Sequence, residues 1–141
     1  MKLSNGSHRT EHGPAGEPRR IVVVDDAPDF LALVAVLLEM ENYKVFMRSI
    51  GRNALPFVKK HRPHVVILDL MLPDVDGLEI LRDLKNDSST CLIPVIVCTA
   101  AADRVRAQRR YLDQMGVKVL EKPFELDALL ATIRLAMGIT A

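Results

Sequence analysis

Apolar positions follow two alternating rhythms along this chain. Short β-branched runs stand at Ile21–Val24, Val45–Met47, Val65–Leu68, Ile93–Val97 and Val117–Leu120, each with the length and residue type of a buried strand. After them come stretches of helical length, Pro28–Glu41, Gly51–His61, Gly77–Lys85, Asp103–Met115 and Glu125–Met137. Strand and helix alternate five times. Parallel strands cannot be closed by a tight hairpin, so the alternation predicts an α/β fold: a doubly wound, five-stranded parallel sheet with five helices packed on both faces. Val65-Val66-Ile67-Leu68 is apolar throughout, as a strand buried on both sides must be. The first, third and fourth strands read as central.

Two helices carry irregularities. Pro56 would cost about 3 kcal/mol in a helix interior, so the second helix is expected to start late, near Leu55. The first helix is apolar nearly all round. With Pro28 at its start, Phe30, Leu33, Val34, Leu37 and Leu38 form an inward stripe, and Leu31, Ala32, Ala35 and Val36 form the opposite face. That outer face is read either as a scatter of tolerated exposed apolar groups or as a docking patch formed by Leu31, Ala35 and Val36.

Residues 1–19 are rich in Ser, Gly and Pro without hydrophobic periodicity and read as a flexible N-terminal extension. Residues 20–138 form the domain, and 139–141 a short C-terminal tail. A chain of 141 residues, 49% hydrophobic and 26% charged, suits one globular core. Its formal net charge of +1 offers no global attraction for nucleic acid or an anionic membrane. The longest apolar run, Phe30–Leu38, is far short of the roughly 20 residues of a membrane helix. The start has no signal-peptide core, so a cytoplasmic location is expected. Cys91 and Cys98 flank a strand, which would hold their Cα atoms about 23 Å apart at about 3.3 Å per residue and excludes a disulfide between them. Arg104, Arg106, Arg109 and Arg110 crowd the fourth helix and read as a solvated face. His8 with His12, and His61 with His64, read as loop residues rather than metal ligands, given their Gly and Pro neighbours.

In doubly wound sheets the crossover loops leave a crevice at the carboxyl ends of the strands. Here those ends are polar: Asp25 and Asp26 after the first strand, Asp69 after the third, Thr99 after the fourth, and Lys122 after the fifth. Each has an innocent role available, Asp26 as a helix cap, Thr99 as a strand former, Lys122 as a surface charge. Gathered at one edge they make a different case. Carboxylates 4 Å apart repel by about 4 kcal/mol at an effective dielectric near 20. A dication together with the ammonium of Lys122 would balance the three negative charges. An all-oxygen set favours Mg²⁺, while zinc would want clustered Cys or His. A metal, a lysine, a hydroxyl and a central carboxylate are what the transfer of a phosphoryl group onto Asp69 requires.

Val23-Val24-Asp25-Asp26, Leu68-Asp69-Leu70-Met71-Leu72-Pro73 with Asp76-Gly77, Thr99-Ala100 and Lys122-Pro123-Phe124 together resemble the signature of response regulator receiver domains, over about residues 20–138. The resemblance implies a flavodoxin-like sheet in strand order 2-1-3-4-5. It makes Asp69 the phosphoacceptor, and makes Asp25, Asp26 and Asp69, with the Met71 main-chain carbonyl, the ligands of Mg²⁺. Thr99 and Lys122 would contact phosphoryl oxygens. A cis bond before Pro123 is implied as well. The protein would be a phosphoacceptor switch that promotes its own phosphorylation and dephosphorylation, with no turnover of a separate substrate. Its partners would be a histidine kinase or histidine phosphotransfer protein and an unidentified downstream protein, with a homodimer also open. Direct nucleic-acid or membrane contact is not expected, and nothing after the fifth helix suggests a DNA-binding output domain, so that the receiver either works alone or is a fragment of a longer regulator. One position departs from the pattern. Val119 stands where the family often carries a switch aromatic. The competing readings are a pseudo-receiver that binds partners without phosphorylation, and a phosphatase with an aspartate nucleophile. The first is disfavoured by retention of every acidic residue and the lysine, the second by the lack of a capping insertion or a second acid beside Asp69.

Overall fold

The computed structural model describes residues 16–139. Five strands, β1 (Arg20–Val24), β2 (Lys44–Arg48), β3 (Val65–Leu68), β4 (Val95–Thr99) and β5 (Lys118–Glu121), form one parallel sheet in the order β2-β1-β3-β4-β5. The helices are α1 (Pro28–Met40), α2 (Ala54–His61), α3 (Gly77–Asn86), α4 (Ala102–Ala107), α5 (Arg109–Met115) and α6 (Leu126–Ala136). The expected central strands β1, β3 and β4 are the central ones.

The two-residue period of a strand splits the core in two. Val22, Val24, Val66, Leu68, Val95 and Val97 face one layer, packed under α2 to α5. Ile21, Val23, Val65, Ile67, Ile96 and Cys98 face the other, covered by α1 and α6. Burial pushes the Cys98 thiol up to about 12, so it behaves as a small apolar group. Both cysteines are free.

Several boundaries differ from the sequence expectation. β4 begins at Val95 rather than Ile93, because Pro94 has no N–H for the ladder and contributes only its carbonyl, which accepts from the Val66 N–H at 3.0 Å. The strand then runs on to Thr99, drawing that residue into the sheet. The expected fourth helix is broken into α4 and α5 at Gln108 (φ −110°, ψ 16°), whose N–H is shared between the carbonyls of Arg104 and Val105. No Gly or Pro marks that turn in the sequence, and the described residues therefore contain six helices instead of five. α2 does start late, at Ala54, so Pro56 lies in the first turn, where its missing N–H costs no helical bond.

The register of α1 is the largest correction. Its buried residues are Leu31, Val34, Ala35 and Leu38, whereas Leu33 is 58% and Val36 55% exposed. Both sets obey helical spacing, so in a helix apolar all round periodicity does not choose between them. The expected patch of Leu31, Ala35 and Val36 therefore keeps only Val36 at the surface. The outer apolar residues are Leu33, Val36 and Met40.

Of the two termini, residues 1–15 and 140–141 lie outside the described part, as do His8 and His12. Arg19 accepts a bond from the Lys44 N–H at 2.9 Å, and Ile139 is buried. His61 ends α2 and stacks on Phe46, with ring centroids 4.0 Å apart, so it is not a loop residue. His64 lies in the following bend and accepts the Arg20 N–H on Nδ1 at 2.9 Å. Three of the four arginines after β4 are ion-paired, Arg104 with Asp76, Arg106 with Asp103 and Arg109 with Asp113. Among the described residues no helix is long and apolar enough to cross a membrane.

Candidate phosphoacceptor site

The site grows out of the strand ends. The Asp25 N–H donates to Arg48 O across from β2 at 3.1 Å, and the Asp69 N–H to Val24 O across from β1 at 3.0 Å. Each ladder thus sets an aspartate just past its last strand residue. The Asp69 backbone is held from behind as well. Gly77, at the start of α3, donates its N–H to Leu70 O at 3.0 Å, and a Cβ there would stand 2.5 Å from Asp69 O and 2.5 Å from Leu70 Cα. Only glycine fits so close a backbone approach. Asp76 caps α3, accepting from Leu78 N–H at 2.9 Å.

Asp25 (1% exposed), Asp69 (6%) and Thr99 (0%) are buried, while Asp26 is exposed. Carboxylate oxygens of Asp25, Asp26 and Asp69 all lie within 4.8 Å of one another. The residue capping α1 is Ala27, so Asp26 does not serve as a helix cap. Asp25 Oδ1 accepts from the Ala27 N–H at 2.9 Å, and Asp69 Oδ1 from the Met71 N–H at 3.0 Å. The Lys122 amine reaches across from β5, 2.6 Å from Asp25 Oδ2 and 3.4 Å from Asp69 Oδ2. The Lys122 backbone is held by its own N–H, which donates to Thr99 O at 2.8 Å, and the Lys122–Pro123 bond is cis. The structure therefore brings together Asp25, Asp26, Asp69 and Lys122, with Thr99 joined to Lys122 through the backbone. The Thr99 hydroxyl accepts from the Ala101 N–H at 3.2 Å.

The electrostatics follow from burial. Burial raises the Asp25 pKa, against the lowering effects of the Lys122 and Ala27 hydrogen bonds, and the charge of Asp69 adds to the rise. For Lys122 burial alone would lower the pKa, but the hydrogen bond to Asp25 and the charges of both aspartates outweigh it and raise it. The amine is thus held as an ammonium. An all-oxygen cluster of three carboxylates carrying one ammonium retains an excess negative charge, and its donors suit a hard divalent cation.

Two features of the site have no strong signal in the sequence. Phe30 lies under the Lys122 amine at 4.0 Å from its ring centroid, and meets Phe124 edge-on at 6.0 Å. Arg104 of α4 reaches Asp76 at 2.8 and 3.0 Å, tying the loop after β3 to the helix after β4. Phe30 reads in the sequence only as one more apolar residue of α1, and Arg104 as one more exposed charge.

Residues 21–134 match the family model of the response regulator receiver domain. The transcriptional regulatory protein TrcR of Mycobacterium tuberculosis is 37% identical over 87% of this chain and 47% of its own length. The polar-differentiation response regulator DivK of Brucella anthropi is 30% identical over 86% of this chain and 98% of its own. The chain spans about half the length of the first curated relatives it matches. Among solved structures, the receiver domain of a sensor histidine kinase from Pseudomonas aeruginosa, determined with a magnesium ion in its active site cleft, superposes with a TM-score of 0.75. It is 25% identical, over 85% of this chain and 98% of that one. Fold, strand-end chemistry and family model agree, and the chain belongs to the response regulator receiver domain family.

Proposed function

We propose that this chain is a phosphoacceptor switch, taking a phosphoryl group on Asp69 from a phosphohistidine donor, a histidine kinase or a histidine phosphotransfer protein, and passing the signal to a downstream protein. The observation that carries this reading is the buried Asp69 carboxylate, with an ammonium 3.4 Å away and two further carboxylates within 4.8 Å. An Asp69 oxygen attacks phosphorus, the bond from phosphorus to the donor imidazole breaks, and the imidazole takes up a proton.

Asp25, Asp26 and Asp69, with the Met71 carbonyl, are the residues that would hold Mg²⁺. When bound, the ion supplies charge stabilisation to the phosphoryl oxygens. The chain's own contribution is positional. Met71 N–H fixes one Asp69 oxygen, Lys122 lies beside the other, and the Thr99 hydroxyl is available to a phosphoryl oxygen after leaving the Ala101 N–H. Lys122 would turn from Asp25 toward the new phosphoryl group.

A phosphorylation-independent pseudo-receiver is the second reading, and retention of the whole acidic set with Lys122 favours the first. Val119 is half-buried beside the α4–α5 layer, so inward rotation of an aromatic at that position is not the route of output. Incubation with a phosphorylated histidine phosphotransfer domain tests the proposal: label should pass to the wild type and not to Asp69→Asn, and label reaching both would refute it.

A further inference from the structure

Charge is distributed unevenly over this nearly neutral chain. Between Asn42 and Leu68 there is no Asp or Glu, while Lys44, Arg48, Arg52, Lys59, Lys60 and Arg62 all fall there. The fold gathers them around one edge of the sheet. β2 carries Lys44 and Arg48, and the last turn of α2 lies beside it because His61 stacks on Phe46. Lys59 pairs with Asp87 at 3.2 Å. Among the described residues, Lys44, Arg48, Lys60 and Arg62 have no carboxylate within ion-pair distance.

That edge is also open along its backbone. β2 pairs with β1 alone. The Lys44 N–H donates to Arg19 O and Arg48 O accepts from Asp25 N–H, so the polar groups of residues 44 and 48 point toward β1. Alternation along the strand then aims those of Val45 and Met47 outward, where no other segment pairs with them among the described residues. An unpaired edge is a template for an added strand.

We propose that the β2 edge is a docking surface for an extended acidic protein segment, which adds as a strand beside Val45–Met47 and sets its carboxylates against Lys44, Arg48, Lys60 and Arg62. Three observations select this occupant. A second copy of the same edge would bring like charges face to face, and edge cations oppose such pairing. A nucleic-acid duplex could use the cations but not the outward backbone groups. The rings of Phe46 and Phe57 are turned on His61, at 4.0 and 4.5 Å, and so are not free to stack bases. The edge lies on the far side of the sheet order from β5 and Lys122, so binding there does not require phosphorylation of Asp69.

The test is fluorescence anisotropy with a labelled synthetic peptide of alternating glutamate and valine, run beside a labelled DNA duplex. Wild type should bind the peptide at least tenfold more tightly than either Met47→Pro or the double variant Lys60→Glu with Arg62→Glu. Proline at 47 removes only an outward N–H, which an edge strand tolerates. If that variant does not fold, amide hydrogen exchange on the wild type replaces it, and Val45 and Met47 should become protected when peptide is added. Equal binding by wild type and both variants, unprotected Val45 and Met47 amides, tighter binding of the duplex, or no peptide binding would each overturn the proposal.

Discussion

The Lys122 amine lies 2.6 Å from Asp25 Oδ2, joining the end of β5 to the end of β1 across the intervening strands. This pair neutralises part of an acidic cluster whose members are mostly buried, and removing one partner leaves uncompensated charge. Lys122→Ala is expected to lower stability by about 1–3 kcal/mol without divalent cation. The deficit should shrink when Mg²⁺ is added, as bound ligand stabilises the folded state. The sign with pH follows from the raised Lys122 pKa: its contribution is full below the unfolded value of 10.5 and is lost as pH rises through the folded one. Urea titrations of both proteins across that range check it.

Gly77 is expected to resist substitution more than any exposed residue of the same loop. A methyl group there meets backbone atoms at 2.5 Å, and backbone cannot swing aside as a side-chain end can. Gly77→Ala should cost about 2 kcal/mol or more and displace Asp69, lowering both the denaturation midpoint and phosphorylation by a small donor.

The register of α1 is tested by two single substitutions. Leu31 is buried, so Leu31→Lys should destabilise by about 2 kcal/mol or more, whereas Leu33→Lys, at a 58% exposed site, should change stability by no more than about 0.5 kcal/mol. Chemical denaturation of the two variants decides between the registers.

These elements mark what the sequence made legible. Buried strands and their polar ends could be read because a strand covered on both faces must be apolar throughout, and the chemistry stands where the apolar run stops. The inward face of α1 could not, since Leu31 and Leu33 both fit helical spacing in a helix that is apolar nearly all round. The break at Gln108 leaves no local mark, since neither Gly nor Pro stands there. Asp25, Asp26, Asp69 and Lys122 converge because the ends of three parallel strands, β1, β3 and β5, share one edge of the sheet. The cation–π seat of Lys122 on Phe30 depends on a side-chain direction that periodicity does not give.

Asp87 should titrate far below an ordinary carboxylate. The Ser89 hydroxyl and N–H donate to it at 2.6 and 2.8 Å, Lys59 lies at 3.2 Å, and its pKa falls to about 2. A depressed folded-state value contributes stability that is present above the unfolded pKa of 3.8 and lost as pH falls toward about 2. Asp87→Asn should therefore narrow its gap from wild type across that window, as followed by thermal melts at stepped pH. A carboxyl signal titrating near 4 in carbon NMR spectra would contradict the assignment.

Intact-mass spectrometry after incubation with acetyl phosphate reads phosphorylation of Asp69 without any partner protein. The wild type should gain one phosphoryl group in the presence of Mg²⁺ and none when the cation is chelated, and Asp69→Asn should gain none in either condition. Equal labelling of wild type and Asp69→Asn, or an unlabelled wild type with Mg²⁺ present, would contradict the account.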